Sequence, residues 1–159
     1  MPGHNRAGLA RVLRGIDVPR AKLHRELDAL FFLVVSWKYG DRCIRCGTPP
    51  KEIVTKAGVT RIQALTPHHF FCRSYWGTRW EPDNGFLLCY PCHIKWAQTR
   101  HEEFRDLVIS KIGEAKFGKL KYQAYNGGKP DPTLVRIHLK ERLREIQEKQ
   151  VKALETRMA

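Results

Sequence analysis

Two short cysteine pairs constrain this chain more than any other feature. Cys43-x-x-Cys46 and Cys89-x-x-Cys92 are separated by 42 residues. Each pair brings two thiolates to one side of a tight turn, and two such pairs complete a tetrahedral sulfur shell of the kind Zn²⁺ accepts at about 2.3 Å per bond. Any fold must therefore fold back between Cys46 and Cys89. Structural zinc is the expectation; an iron–sulfur or redox centre and unligated thiols are the alternatives. A closed four-sulfur shell leaves no coordination position for a substrate, so this metal would stabilise the fold rather than act on anything. The fifth cysteine, Cys72, lies beside Phe70 and Phe71 and reads as a small buried residue.

A metal suits a chain of this size. The 159 residues bound one domain, or one domain with extensions, and 42% hydrophobic residues permit only a modest core. The formal charge is +13, and 22 basic against 11 acidic residues place +11 of it in residues 1–130. That excess points to a nucleic-acid or other anionic partner. The first apolar run, "LDALFFLVV", has no cleavage pattern after it and is too short to span a bilayer. We therefore expect no leader, no membrane partner and a cytoplasmic location. In that compartment five cysteines read as metal ligands before disulfides.

The expected organisation is a basic arm over 1–18, a zinc-supported domain over 19–126 and a C-terminal helix over 131–159. Leu23, Leu27, Leu30, Phe31 and Val34 recur at helical spacing, with Pro19 in the first turn. Arg42 to Pro50 forms a knuckle. Ile62–Leu65 and Phe70–Cys72 read as short extended pieces around the histidine pair, "EPDNG" as a turn, and "FLL" as the apolar lead into Cys89. A short helix is predicted from Pro91. A second runs from a Thr99 cap, with Glu102 completing a capping box, to a stop at Gly113. "YNGGKPDP" marks the main boundary. Asp131 caps and Pro132 opens a last helix whose stripe, Val135, Leu139, Leu143, Ile146, Gln150 and Leu154, packs in cis or pairs with another chain.

Between the cysteine pairs lie the rarer side chains. His68 and His69 are adjacent, so in extended chain they point to opposite faces. His93 follows Cys92 directly, beside a fixed anchor. Taken singly, each histidine is more often a satisfied surface residue than a ligand; three within 26 residues of a basic chain raise the functional reading. Trp96 reads as core, while Trp76 and Trp80 stand between core packing and contact with sugar or base. Lys95, Arg100, Lys111, Lys116, Lys119 and Lys121 stand between phosphate contact and a solvated face.

The order H-H, D-N, C-x-x-C-H with an upstream C-x-x-C resembles the HNH endonucleases of the ββα-metal (His-Me finger) class in their zinc-supported form, and among them the phage NinG-like recombination nucleases. The likeness covers roughly Asp41 to Trp96. It implies an α+β fold with a ββα-metal core, flanked by N- and C-terminal helices and supported by Cys43, Cys46, Cys89 and Cys92. It also implies that His69 is the general base, that Asn84 positions the loop, and that His68 and His93 hold a catalytic Mg²⁺ or Mn²⁺. Arg73 matches an arginine that contacts phosphate; Arg79 and Lys95 are further candidates. NinG-like chains often carry Asn where this one has His93, which is closer to the general HNH form. The implied activity is hydrolysis of DNA phosphodiesters, by nicking or double-strand cleavage, on duplex or branched DNA. Phage recombination or packaging proteins would be partners, with self-association through the last helix, in the host cytoplasm if phage-encoded. The competing reading is a zinc-supported DNA-binding accessory module without catalysis, which needs the cysteines but has no use for the quartet His68, His69, Asn84 and His93.

Overall fold

The computed structural model describes residues 20–158; the expected basic arm and Pro19 lie outside them. Helix α1 spans Arg20–Tyr39. Its buried stripe, Leu27, Phe31, Val34 and Val35, is 0–2% exposed and forms the floor of the molecule. Burying each such side chain contributes about 1.5–3 kcal/mol. The helix ends where Gly40 and Asp41 take positive φ (60° and 51°), with the Asp41 N–H bonding the Ser36 carbonyl at 3.2 Å. This reversal sends the chain into the first cysteine knuckle.

Strands β1 (Lys51–Val54) and β2 (Thr60–Gln63) form an exposed antiparallel hairpin. Strand β3 (Thr66–His69) pairs antiparallel with β4 (Gly85–Leu88), in the register Thr66↔Leu88 to His69↔Gly85. A helix over 90–99 follows, α2, whose turn Cys92–Trp96 is a π-helix. Three helices complete the described fold: α3 (His101–Ile112), α4 (Glu114–Asn126) and α5 (Pro132–Met158). The architecture is α+β. Strand β4 is wholly buried and α1 packs against it, so Phe86, Leu87 and Leu88 share a core with Phe31, Val34 and Val35. Among the described residues no helix is long and apolar enough to cross a membrane.

Several expectations change. Phe70–Cys72 is not a strand: the ladder stops at His69, and Asn84 takes over the pairing of Phe70 and Phe71. Cys72 is exposed, because the bend after Phe71 turns it outward, where its Sγ meets Ser74 Oγ at 2.7 Å. Thr99 does not cap α3; its hydroxyl donates back to the Lys95 carbonyl (2.7 Å), since α2 runs on to Thr99. Helix α4 and strand β1 had no counterpart in the sequence reading. Asp131 caps α5 as read, its Oδ1 accepting from the Thr133 and Leu134 N–H groups at 2.7 and 3.1 Å. The stripe of α5 packs on α1, with Leu139 fully buried, Arg136 paired to Glu26 at 2.7 Å and Gln150 donating to the Trp37 carbonyl at 2.8 Å. Beyond Gln150 the helix is exposed, including Leu154.

Candidate metal centre and histidine cleft

The four sulfurs of Cys43, Cys46, Cys89 and Cys92 lie within 4.8 Å of one another. Tetrahedral bonds of 2.3 Å would set sulfurs about 3.8 Å apart, and Cys46 Sγ stands 3.6 Å from Cys89 Sγ. The knuckle supplying the first pair is closed by Cys43 N–H to the Thr48 carbonyl (3.0 Å) and Gly47 N–H to the Cys43 carbonyl (2.8 Å). The second pair sits where β4 leaves the sheet and α2 begins. Cys43 and Cys92 are buried and Cys46 is exposed. Burial pushes the Cys92 thiol up to about 12, against a contact from the Arg45 guanidinium at 3.7 Å. Burial also acts on Cys46, but hydrogen bonds from Thr48 outweigh it and bring that thiol down to about 6. The cluster can coordinate a metal ion; four thiolates at this spacing suit zinc, and binding would displace the thiol protons.

The turn between β3 and β4 is held from both sides. Asp83 faces outward to Lys38 Nζ at 2.9 Å and Lys116 Nζ at 3.4 Å. Asn84 faces inward and is 0% exposed. Its Oδ1 accepts the Phe71 N–H (2.8 Å), and its Nδ2 donates to the carbonyls of Phe71 (2.8 Å) and Thr78 (2.9 Å). One amide side chain thus closes the long loop directly behind His69.

Strand β3 presents its two histidines differently. His69 stacks on Phe31, with ring centroids 4.6 Å apart and planes 16° apart. Its Nε2–H donates to the Arg79 carbonyl at 2.8 Å. A carbonyl can only accept, so that bond leaves the lone pair of the neutral ring on Nδ1. His68 turns the other way, edge-on to His93 at 4.7 Å and to Phe104 at 5.2 Å. His93 Nδ1 is hydrogen-bonded to Thr66 Oγ1 at 2.8 Å, which keeps Nε2 for another partner. Burial is the first cause holding all three imidazoles below their ordinary value, and for His68 the neighbouring His93 and His69 add to it, bringing it to about 4. All three rings are therefore neutral at pH 7.

His68, His69 and His93 border one cleft of about 500 Å³, shared with Asp28, Phe31, Phe32, Thr66, Cys72 and Arg73. Arg73 is exposed at its rim, and Lys95 is exposed on α2. Arg79 is not free: its guanidinium grips Asp28 at 2.9 and 3.4 Å and lies 5.0–5.2 Å from the Trp76 and Trp80 rings. Trp80 is core, donating to Asp28 Oδ1 at 2.7 Å; Trp96 is core too, donating to Glu103 at 2.9 Å. Thr66, Asp28 and Phe31 enter the site without having been singled out for it. Thr66 was recoverable, since it shares a strand face with His68 at i, i+2; nothing local in the sequence marks Asp28 or the stacking role of Phe31.

Comparison of the chain with protein-family models, with curated proteins and with solved structures returns no match.

Proposed function

We propose that this chain is a metal-dependent DNA endonuclease of the HNH type, with a ββα-metal core formed by β3, β4 and α2 and a structural zinc on Cys43, Cys46, Cys89 and Cys92. The observation that carries the proposal is the division of labour among three neutral histidines in one cleft. His69 has its Nε2–H committed to a carbonyl and its lone pair on Nδ1, which is what a general base requires. His68 and His93 meet at 4.7 Å, and Thr66 holds the second ring by its other nitrogen, the support an imidazole ligand commonly receives. Mg²⁺ or Mn²⁺ bound by that pair would supply charge stabilisation for the phosphorane and the departing oxygen.

The chain's own residues account for the remaining steps. His69 Nδ1 removes the proton of a water as it attacks phosphorus, the P–O3′ bond breaks, the departing 3′ oxygen takes a proton from solvent water, and phosphate stays on the 5′ end. Asn84 acts at a distance from the reacting atoms, fixing the loop whose Arg79 carbonyl sets the His69 tautomer. Arg73 serves as the phosphate contact at the rim. Arg79 serves the site through Asp28 and its own carbonyl, so its proposed phosphate role gives way to a positioning one. The accessory-module reading is disfavoured because binding alone gives no reason for a tautomer-fixed imidazole beside a histidine pair.

The test is single-turnover cleavage of supercoiled plasmid and branched DNA across a Mg²⁺ and Mn²⁺ titration. His69→Ala should keep fold, zinc and DNA affinity yet lose about 10²–10⁴-fold in rate. His68→Ala and His93→Ala should shift the metal requirement upward instead. Parental cutting by His69→Ala, or no cutting by the parent under any of these conditions, would overturn the reading.

A further inference from the structure

The chain that lines the cleft at Cys72 and Arg73 runs on through Ser74 to Tyr75 and Trp76. Tyr75 meets Tyr125 of α4 edge-on at 5.5 Å, and Tyr125 also leans on Phe71 at 6.0 Å. Yet Tyr125 is 61% exposed, and Tyr122, one turn before it on the same helical face, is 69% exposed. Lys121 lies four residues before Tyr125 on that face. Trp76, beside Tyr75, carries the Lys129 ammonium over its ring at 4.4 Å. Segment 115–129 holds four lysines, of which Lys116 is paired to Asp83, and segment 70–80 holds two arginines, of which Arg79 is gripped by Asp28 and the exposed Arg73 lies 4.0 Å from it.

Solvated lysines explain charge but not exposed tyrosines beside them. A core explains aromatic rings but not rings left open to water. Aromatic faces interleaved with the cations of Lys121 and Lys129 match a chemistry in which bases stack while phosphates pass alongside. Duplex DNA hides its base faces, so the fit is to unpaired strand.

We propose that Tyr75, Tyr122 and Tyr125, with Arg73, Lys121 and Lys129, form a track for single-stranded DNA that leads into the histidine cleft. The inference deepens the nuclease reading by naming its substrate as DNA with an unpaired arm beside the scissile phosphate, and it rests on that reading only for the destination of the track. A neighbouring protein seated on the tyrosines is the rival occupant.

Binding separates the track from the chemistry. Fluorescence anisotropy with labelled oligo-dT of 15 nucleotides, and with a matched blunt duplex, is measured on the full chain without added divalent ion. Tyr122→Ala and Tyr125→Ala should each weaken oligo-dT binding about fivefold to a hundredfold and leave duplex binding within about twofold. Tyr125→Phe, which keeps the stacking face, should bind as the parent does. Lys121→Ala should lower the salt dependence for oligo-dT. Tyr122 guards against a folding artefact, because its ring is the more exposed, and thermal melting of each variant checks it. Equal loss on oligo-dT and duplex, or parental oligo-dT binding by both alanine variants, would overturn the track, the second result leaving the tyrosines to a protein partner. Cleavage of supercoiled plasmid that persists in those variants would then leave the nuclease reading standing; oligo-dT binding retained by a parent that cuts nothing would leave the track standing instead.

Discussion

Replacing Asn84 tests whether the loop behind His69 is held as described. Asn84→Ala removes one buried acceptor and two donor bonds at 2.8–2.9 Å, stranding the Phe71 N–H and the carbonyls of Phe71 and Thr78 in a region closed to water. A buried polar group left without its partner costs about 1–3 kcal/mol. Three such groups, partly relieved by relaxation, give roughly 3–6 kcal/mol. For a chain of this length that is a fall in Tm on the order of 10 °C. Urea denaturation of parent and variant prepared alike, followed by tryptophan fluorescence, measures it. Asn84→Asp sharpens the test. It keeps the acceptor for Phe71 but turns a carboxylate toward two carbonyls, so burial and those oxygens raise its folded pKa above the ordinary value of about 3.9. The folded state then prefers the proton, and the deficit relative to the parent grows as pH rises above about 4. The aspartate variant should therefore be worse at pH 7 than at pH 5, each compared with the parent at the same pH. A loss below about 1 kcal/mol for the alanine variant, or an aspartate deficit independent of pH, would refute this account of the loop.

The remaining predictions concern the two sites. Cys46→Ser or Cys92→Ser should lose close to one zinc per chain and severely destabilise the domain; metal analysis finding zinc unchanged in both would remove the four-sulfur shell. In buffer without divalent ions, the depressed His68, His69 and His93 should contribute stability that is full above about pH 6.5 and lost as pH falls toward about 4, where His68 takes its proton. A urea midpoint of the parent that stays flat across that window, or an unchanged slope in His68→Asn, would contradict the burial of the cluster.

The cysteine cluster was legible because C-x-x-C spacing is a local geometric instruction, and two such instructions can be satisfied together in few ways. The cap at Asp131 was legible for the same reason, being a short-range match between a side chain and its neighbouring backbone, whereas the loop-holding part of Asn84 was expected only from the family resemblance, its partners Phe71 and Thr78 lying 13 and 6 residues away. Partners far apart in sequence were not. Arg79 and Asp28 lie 51 residues apart, and nothing near either of them announces the pair that takes Arg79 out of the pool of free cations. Helix α4 escaped because its stripe is thin, with Leu120 and Ala124 buried and Phe117 only partly so, and Gly118 and the exposed tyrosines blur the period. Cys72 misled because two phenylalanines beside it suggested a continuing strand, whereas the ladder ends at His69 and Asn84 takes over the pairing of Phe70 and Phe71.

His69 owes its seat to an absence. Directly across the ladder from it stands Gly85, and a Cβ there would collide with Phe31 and Val35, both of them packed in the core. Phe31 is the ring on which His69 rests. A single added methyl would therefore reach the imidazole through one intermediary, without touching it. In the vocabulary of variation, Gly85 is a position whose permitted alphabet has shrunk to one letter although glycine offers no reactive atom. A search that ranks residues by their chemistry passes over it, while a saturation screen scored on the orientation of His69 would return Gly85 beside the histidine itself.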